Sequence, residues 1–207
     1  MPQLPIILLA AGASKRMRGR DKLLEDVDGA PLLRERAAMA IDAGLGPVFI
    51  TLPPDKSARA EALHGLDVAH VPVCHAQEGM SASLRAALAV LPTGTDHVMV
   101  LLADMPDLTA ADLRAVAAAL DPAQDTLVWR ASTETGLPGH PIVFAAALFA
   151  QLMQTRGDFG GRDVVKAASG HVRLVPLPGM RARTDLDTPE DWSAWRGRRE
   201  ADRTRRA

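Results

Sequence analysis

The sequence predicts an α/β protein with a doubly wound, mostly parallel sheet between two layers of helices, a three-layer α/β/α arrangement. Three observations predict it. Short apolar runs alternate along the chain with helical patterns, several of these runs are apolar at every position, and the segments between them show amphipathic periodicity. Parallel strands that are covered on both faces are apolar throughout, and successive parallel strands need crossover helices.

Six apolar runs are the predicted strands. In chain order they are "PIILLA" (5–10), "PVFITL" (47–52), "DVAHVPV" (67–73), "HVMVLLA" (97–103), "TLVWRA" (126–131) and "VRLVPL" (172–177). The alternation is regular up to residue 131. The segment 132–170 is richer in Gly and turn signals, so we expect it to cross the carboxyl edge of the sheet within the same domain.

Two segments between the strands have clear helical periodicity. In "TAADLRAVAAAL" (109–120) apolar residues fall at i, i+3, i+4 and i+7, which is one helical face. Thr109 and Asp112 have the spacing of a capping box, which predicts where this helix begins. In "MSASLRAALAVL" (80–91) a Met and three Leu form a second apolar stripe. Helices of this kind are expected to cover the sheet.

Composition favours one domain without a nucleic-acid partner. The chain has 207 residues, 47% of them hydrophobic, and its formal net charge of −1 gives no basic field that would attract nucleic acid. We expect one domain over residues 1–195 and a charged C-terminal tail over 196–207. The tail is rich in Arg, Glu and Asp, and we interpret it as the fraying end of a helix.

Targeting and redox signals predict a cytoplasmic protein. Cys74 is the single cysteine, so an intrachain disulfide is excluded, which fits a reducing compartment. The N-terminus "MPQLPIILLAAG" lacks a basic segment, and no stretch reaches roughly 18 consecutive apolar residues, the length of a membrane span. We therefore expect no membrane association.

The stretch "LLAAGASKRMRGRDK" (8–22) places a glycine-bearing cationic loop directly after the first predicted strand. In open parallel sheets, ligands bind beyond the carboxyl ends of strands. Gly12 lets the backbone approach a ligand, and consecutive amides there can bind an anion. The cations of this loop are Lys15, Arg16, Arg18, Arg20 and Lys22. We interpret the loop as a site for a nucleoside triphosphate; the alternative is a solvated basic loop.

Two familiar phosphate motifs do not fit this loop. The Walker A spacing G-x-x-x-x-G-K-[ST] is absent, and so is the dinucleotide fingerprint G-x-G-x-x-G. The second predicted strand also ends in Pro and not in the acidic residue that a dinucleotide site requires. The sequence therefore indicates a phosphate loop of another type.

Asp104 ends the fourth predicted strand, in "VMVLLADMPDLT". Pro106 favours an extended Met105, so the chain leaves the sheet in a defined direction. Mg²⁺ prefers one or two carboxylates together with phosphate oxygens and water, so Asp104 is a candidate metal ligand. The alternative is a turn or capping aspartate, which is the favoured interpretation for Asp107.

A second group of carboxylates lies in "RTDLDTPEDW" (183–192). Thr188, Pro189 and Asp191 have the spacing of a helix start, which explains the acidic residues inside that helix. Asp185 and Asp187 precede the start and have no such explanation. These two aspartates are therefore the second group of carboxylate candidates.

These motifs resemble a known family. "LAAGASKRMRGRDK" is similar to the L-A-[AG]-G-x-[SG]-x-R-M-G-x-x-K signature of the MobA-like nucleotidyltransferases, and "ADMPD" and "DTPED" are similar to its D-x-P and T-P-E-D segments. The resemblance implies a Rossmann-like nucleotidyltransferase fold. One departure is that Arg18 stands where Gly usually follows the Met, with Gly19 one residue later. The resemblance assigns nucleotide contacts to Leu9, Ala10, Ala11, Gly12, Arg16 and Lys22.

By the same resemblance, Lys22, Arg16 and the metal-binding Asp104 are the catalytic residues. Lys22 and Arg16 would contact the triphosphate, and Mg²⁺ on Asp104 would bridge the substrates. The resemblance makes Asp187 the favoured second metal or water-mediated ligand, ahead of Asp185. Lys15, Arg18 and Arg20 are expected to be solvated. No histidine spacing indicates zinc.

"QEGMSASLRAAL" (77–88) resembles the G-M-x-x-S-L-R segment of the cytidylyltransferases of the molybdenum cofactor group. Ser81 and Arg85 are four apart and are expected to share a face opposite the Leu stripe, where, with Ser83, they would contact base or ribose. The alternative is an N-cap serine and a surface arginine. Together with Ala11, which would narrow the base pocket, this resemblance favours CTP.

"GLPGHPIVF" (136–144) and "GDFGGRDVV" (157–165) resemble the G-x-x-G-H-P and G-D-x-G-A-R segments of the same group. Their Gly-rich turns would give backbone donors to an anionic second substrate. His140 and Arg162 are the predicted acceptor contacts. A local structural role is the alternative for His140.

The resemblance implies transfer of CMP from CTP to a phosphorylated acceptor with release of pyrophosphate. The favoured acceptor is molybdopterin or its molybdenum form, and a molybdoenzyme or its maturation chaperone is a possible partner. The alternatives are a guanylyltransferase or sugar-phosphate nucleotidyltransferase of the same fold, or a nucleotide-binding maturation factor without catalysis.

Overall fold

A computed structural model describes residues 3–55, 57–121 and 124–206. Its main sheet has seven strands in the order β5-β4-β1-β6-β8-β7-β9, and a separate hairpin pairs β2 with β3. The strands are β1 (Ile6–Leu9), β2 (Asp26–Val27), β3 (Ala30–Pro31), β4 (Val48–Leu52), β5 (Ala69–Pro72), β6 (His97–Leu102), β7 (Val128–Ser132), β8 (Pro138–Ala145) and β9 (Val172–Pro176).

The helices lie on both faces of the sheet. They are α1 (Leu32–Asp42), α2 (Ser57–Ala62), α3 (Met80–Leu88), α4 (Ala110–Ala118), α5 (Phe149–Leu152), α6 (Arg162–Ala167) and α7 (Pro189–Arg206). One apolar cluster joins the sheet to α1, α4 and α7, and a second joins the other face to α3, α5 and α6. Alternate strand residues enter opposite clusters, as Ile6 and Ile7 do, because side chains alternate along a strand. The predicted doubly wound three-layer fold is confirmed.

All six predicted strands are present, with ends within two residues of the predicted limits. The description of segment 132–170 as an excursion over the sheet edge is wrong in part. Residues Pro138–Ala145 form β8, which runs antiparallel between β6 and β7. Strand β8 has little signal in the sequence, because the strand begins with Pro and Gly and only its last four residues form an apolar run. Proline is tolerated at the first residue of a strand, where a ladder hydrogen bond is dispensable.

Both predicted helix starts are confirmed. Thr109 and Asp112 form a reciprocal capping box at α4. At α7, the Asp191 amide donates to Thr188 Oγ1 (3.1 Å) and the Thr188 amide donates to Asp191 Oδ2 (2.8 Å). Such caps satisfy amides that the first helical turn leaves without partners.

Helix α7 continues through the charged residues to Arg206, and residue 207 lies outside the described residues. Its buried Trp192 and Trp195 anchor it to the core. Further along, Arg199 and Arg203 both bind Asp28 in the turn between β2 and β3. The charged end of the chain is therefore a helix that contacts the hairpin following the cationic loop.

Strand direction fixes where a site can form. Strands β4, β5 and β6 run in the direction of β1, and β7 follows β6 in direction because both are antiparallel to β8. The carboxyl ends of β1, β6 and β7 and the beginning of β8 therefore share one edge. No helix among the described residues is long and apolar enough to cross a membrane.

Candidate functional site

The cationic loop leaves β1 at this edge and is held in a strained shape. Met17, fully buried, anchors a 3-10 turn over Lys15–Met17, and left-handed residues flank the turn at Ser14 (φ 53°) and Arg18 (φ 52°). Gly19 also has positive φ, at 88°. The departure at Arg18 therefore leaves the bend intact, with a non-glycine residue in a conformation that costs about 1–2 kcal/mol.

The buried side chain of Arg59 on α2 supports the cationic loop after β1. The side chain of Arg59 is fully buried and donates to the carbonyl oxygens of Ala10 and Gly12, the latter at 2.8 Å. It also binds both carboxylate oxygens of Asp21, at 2.8 Å each. Burial alone would raise the pKa of Asp21, but the hydrogen bonds and charge of Arg59 hold that pKa below its ordinary value.

Sequence reasoning missed Arg59. It lies in a short helix, 38 residues from Asp21 and 49 from Ala10, in a segment that resembles an ordinary charged surface helix. Because its guanidinium binds two loop carbonyls from the protein side, it fixes the orientation of the peptide units around Gly12. The sequence carries no local signal for this contact.

Lys22, Asp104 and Asp187 meet at the carboxyl edge. The Lys22 ammonium donates to Asp104 Oδ2 and to Asp187 Oδ1, the latter at 2.7 Å. Arg16 Nη2 lies 2.6 Å from Asp187 Oδ2. The structure therefore brings together the four residues predicted for triphosphate and metal, although up to 171 positions separate them in the chain.

The charges at this cluster shift the pKa values of its members. Burial opposes the charged ammonium of Lys22, but Asp104 and then Asp187 outweigh it and raise the pKa of Lys22. Burial likewise opposes ionisation of Asp187, yet Lys22 and Arg16 lower its pKa. Lost hydration and the neighbouring carboxylates of Asp187 and Asp104 raise the pKa of Asp185. Lys22 is thus the cationic partner that Asp104 and Asp187 share.

The cluster fits a divalent cation that also contacts phosphate. Asp104 Oδ1 is buried and accepts no hydrogen bond from the described residues, so one oxygen stays available. Those residues contain no group of three or more His, Cys, Asp or Glu that could enclose an ion. Two carboxylates, one of them with an oxygen that accepts no hydrogen bond, suit a divalent cation that takes its remaining ligands from water and substrate phosphates.

The other loop cations lie at the surface. Arg18 binds Glu190 and Arg20 binds Glu25, with 72% and 53% of the two arginine side chains exposed. Ion pairs of such exposed arginines are screened by solvent and contribute little to stability. Lys15 is exposed as well. These positions agree with the expectation that the three side chains are solvated.

The predicted base-binding residues of α3 divide into two groups. Ser81 and Ser83 are buried, so Ser81 does not share an exposed face with Arg85, and its hydroxyl has no partner among the described residues. Ala82 of the first turn of α3 belongs to one small buried cluster with Ala11 of the loop and Val73. Arg85 instead donates to the Thr155 carbonyl oxygen (2.5 Å) and to Glu78 (3.0 Å). Neither partner belongs to the cationic loop.

The glycines near the predicted acceptor residues have a packing role. A Cβ on Gly139 would lie 1.8 Å from the Ala182 carbonyl oxygen, and one on Gly161 would lie 2.9 Å from the Phe144 ring. Close approach of chain segments therefore explains the glycine at both positions, since only glycine fits there. That the Gly-rich turns give backbone donors to a second substrate stays a prediction.

His140 and Arg162 lie on the α6 side of the same edge. The His140 amide donates to the Ala182 carbonyl oxygen at 2.8 Å. Burial, with a contribution from the charge of Arg130, lowers the pKa of His140 to about 4, so its ring is neutral near pH 7. Arg162 is exposed at the first residue of α6.

A cationic loop behind β1 that faces strand-end carboxylates defines a nucleotide-binding α/β protein of the phosphoryl-transfer type. The chain belongs to the MobA-like NTP transferase family, whose domain model matches residues 6–173. By family it is a nucleotidyltransferase. The matched span includes Arg16, Lys22 and Asp104 and ends before Asp187.

Two curated relatives differ in activity. The 3-deoxy-manno-octulosonate cytidylyltransferase of Mesorhizobium japonicum is 33% identical over 123 residues, which is 59% of this chain and 49% of that protein. This chain therefore matches about half the length of that relative. Nicotine blue oxidoreductase of Paenarthrobacter nicotinovorans is 28% identical over 195 residues, covering 92% of this chain and 95% of that protein.

One solved structure is similar over almost the whole chain. Rv0371c from Mycobacterium tuberculosis H37Rv has a TM-score of 0.82 and 28% identity, covering 93% of this chain and 96% of that one. Its complex with manganese has a TM-score of 0.78 and 26% identity, covering 93% and 97% of the two chains. A divalent metal is therefore represented among the relatives.

Proposed function

We propose that this protein transfers a nucleoside monophosphate, favoured as CMP from CTP, to a phosphorylated acceptor. A phosphate oxygen of the acceptor bonds to the α-phosphorus, the bond between the α-phosphorus and the bridging oxygen breaks, and pyrophosphate leaves with that oxygen. The observation that carries the proposal is the position of Lys22 between Asp104 and Asp187, beside a glycine loop at the carboxyl edge.

Lys22 and Arg16 have a double role in this proposal. Without nucleotide they neutralise the two carboxylates, and with nucleotide their charges serve the β- and γ-phosphates instead. A divalent cation, proposed as Mg²⁺, would be held by Asp104 and Asp187 and would supply the charge that stabilises the phosphate oxygens. Catalysis on this view is mainly positioning and electrostatic stabilisation.

The preference for CTP depends on the loop and α3. We expect the Ala11 methyl group to narrow the base pocket against a purine; Ala11 belongs to one buried cluster with Ala82 of α3. The buried hydroxyl of Ser81 is a free hydrogen-bonding group for the base or ribose, with Ser83 nearby. The cytidylyltransferase from Mesorhizobium supports the same base, although its match covers 59% of this chain.

The acceptor is proposed as molybdopterin or its molybdenum form, with His140 and Arg162 as its contacts. The support is the likeness of "GLPGHPIVF" and "GDFGGRDVV" to the segments of the molybdenum cofactor cytidylyltransferases. A neutral His140 can donate or accept a hydrogen bond but adds no charge. A molybdoenzyme or its chaperone would receive the product.

The test is a thermal-shift series with CTP, GTP, ATP and UTP in Mg²⁺ or Mn²⁺, followed by pyrophosphate release with molybdopterin. We expect CTP to stabilise the protein by about 2.7 kcal/mol at a hundredfold excess over Kd, and pyrophosphate to form only with acceptor present. Lys22→Ala should abolish both signals, whereas Lys166→Ala, an exposed lysine on α6, should change neither.

Each other result identifies a different function. A preference for GTP indicates a guanylyltransferase, and turnover with sugar phosphates alone indicates a sugar-phosphate enzyme. Nucleotide binding without pyrophosphate release in the presence of any acceptor would indicate a maturation factor without catalysis. If no nucleotide binds, the proposal is refuted, and the activity to test next is the redox activity named for the Paenarthrobacter relative.

A further inference from the structure

Two arginines donate to consecutive carbonyl groups at the beginning of β8. Arg130 Nε lies 3.0 Å from the Gly139 carbonyl oxygen. Arg183 Nη1 lies 3.2 Å from the Pro138 carbonyl oxygen. Each guanidinium has further N–H donors beyond these contacts, since the group carries five. Two guanidinium groups thus lie at the start of β8, and each has N–H donors that these contacts do not use.

The strand pattern shows which face Arg130 occupies. Arg130 is two residues after Val128, which belongs to the cluster beneath α3, α5 and α6. Side chains two apart on a strand share a face. Arg130 therefore faces the layer that contains α6, whose first residue is Arg162. His140 lies near enough to Arg130 for the arginine charge to lower the pKa of its ring.

The cationic groups at the start of β8 lack acidic partners among the described residues. Among the described residues, no carboxylate lies within ion-pair distance of Arg130, Arg162 or Arg183, whereas the cations of the loop after β1 bind Asp187, Glu190 and Glu25. Burial, followed by the charges of Arg183 and Arg162, lowers the pKa of Arg130. Like charges held together in this way favour a bound anion.

The same region is next to the nucleotide site. The turn that carries Arg183 continues to Asp187, four residues further along the chain. Within this turn the Leu186 amide donates to the Asp104 carbonyl oxygen at 3.0 Å. Strand β8, which begins at the arginines, is also the direct neighbour of β6, which ends two residues before Asp104.

We propose that Arg130 and Arg183, with Arg162, form a subsite for an anionic group of the second substrate. The chemical class is a compact oxyanion, either a phosphate monoester or a carboxylate, which guanidinium groups bind in a bidentate manner. The inference rests on the proposed function for its meaning as an acceptor site. Neither Arg130 nor Arg183 belongs to the motifs that indicate nucleotide binding.

The test titrates inorganic phosphate, and separately acetate, into the full-length protein saturated with a nonhydrolysable CTP analogue and Mg²⁺. The analogue fills the triphosphate site, so calorimetry reports the remaining anion site. We expect Arg130→Gln and Arg183→Gln each to weaken phosphate binding at least tenfold while nucleotide affinity changes less than twofold. Arg173→Gln is the matched control, because Arg173 also donates to a carbonyl oxygen, that of Ala119, but on β9.

Phosphate affinity that is unchanged in both variants, or no phosphate binding by the wild-type protein, would overturn the inference. Measurable affinity for phosphate or for acetate that the arginine variants weaken would support the inference, and the anion with the higher affinity identifies the group that the subsite binds. Arg183 is exposed, so its variant is expected to fold even if Arg130→Gln does not. If no nucleotide binds, the proposed function fails; phosphate titration of the free protein then still tests the arginine subsite.

Discussion

Lys22 Nζ and Asp187 Oδ1 lie 2.7 Å apart although 165 positions separate the residues in the chain. The same ammonium donates to Asp104, so one lysine joins the loop after β1, the end of β6 and the turn before α7. Only 12% of the Lys22 side chain is exposed, with 16% and 18% for Asp104 and Asp187. Because all three side chains are largely buried, removal of one partner leaves a buried charge without its countercharge, which destabilises the fold.

Lys22→Ala is therefore expected to destabilise the free protein as well as to remove nucleotide binding. We expect a loss of about 2–4 kcal/mol in the free energy of unfolding, because two partly buried carboxylates lose their shared countercharge. Asp187→Asn in the same chain should recover part of that loss. Urea unfolding of the single and double variants measures this coupling. Strictly additive effects would contradict the shared role of the lysine.

Arg59 should act as a positioning residue for the loop that carries Gly12. Arg59→Leu leaves Asp21 buried without its main partner, so we expect about 3 kcal/mol of destabilisation. The double variant Arg59→Leu/Asp21→Asn should recover stability but still bind CTP at least tenfold more weakly than the wild type. Full recovery of nucleotide affinity together with stability would show that Arg59 serves folding alone.

Substitutions at Gly12 and Gly139 should differ in effect: the first should weaken nucleotide binding, and the second should destabilise the fold. A Cβ on Gly12 meets no atom within 4 Å, so Gly12→Ala should change the free energy of unfolding by less than about 0.5 kcal/mol yet weaken nucleotide binding by crowding the phosphates. Gly139→Ala forces a Cβ onto the Ala182 carbonyl group and should destabilise the fold strongly.

The matched control for these glycine variants is Gly197→Ala in α7, where an added Cβ meets open space. It should stabilise the helix by about 0.5–1 kcal/mol. Thermal unfolding with and without CTP measures all of these variants. A Gly12→Ala protein with wild-type nucleotide affinity would argue against close approach of the loop to phosphate.

His140 should make stability depend on pH. Its pKa is about 4 in the folded chain and near 6.5 when unfolded, so the unfolded state binds the additional proton between these values. Stability is therefore complete above pH 6.5 and falls as the pH decreases toward 4, by about 2–3 kcal/mol. His140→Gln should flatten this part of the curve of unfolding free energy against pH. An unchanged curve would contradict a buried neutral imidazole.

The sequence predicted the layers of the fold and the centre of the site for physical reasons. Apolar runs such as 97–103 mark strands buried on both faces, and strand-end residues such as Asp104 must lie at the carboxyl edge. Capping residues such as Thr109 indicate helix starts because their hydrogen bonds are local.

The features that the sequence did not reveal depend on contacts between distant residues. Arg59 is an ordinary helical arginine until the fold places it under the loop. Strand β8 has little pattern of its own and gains its place from pairing with β6 and β7. The burial of Ser81 follows from the tertiary packing of the first turn of α3, which periodicity within one helix does not specify.

On the proposed function, the bridging ammonium of Lys22 couples the binding of nucleotide to the binding of a divalent ion. A triphosphate that attracts the lysine would uncover two carboxylates, and a divalent ion that neutralises these carboxylates would release the lysine for the triphosphate. Nucleotide and ion should each raise the affinity of the other by the same factor, as thermodynamic reciprocity requires. Calorimetric titration of either one at fixed levels of the other measures this factor, and a value of one would mean that Lys22 does not exchange partners.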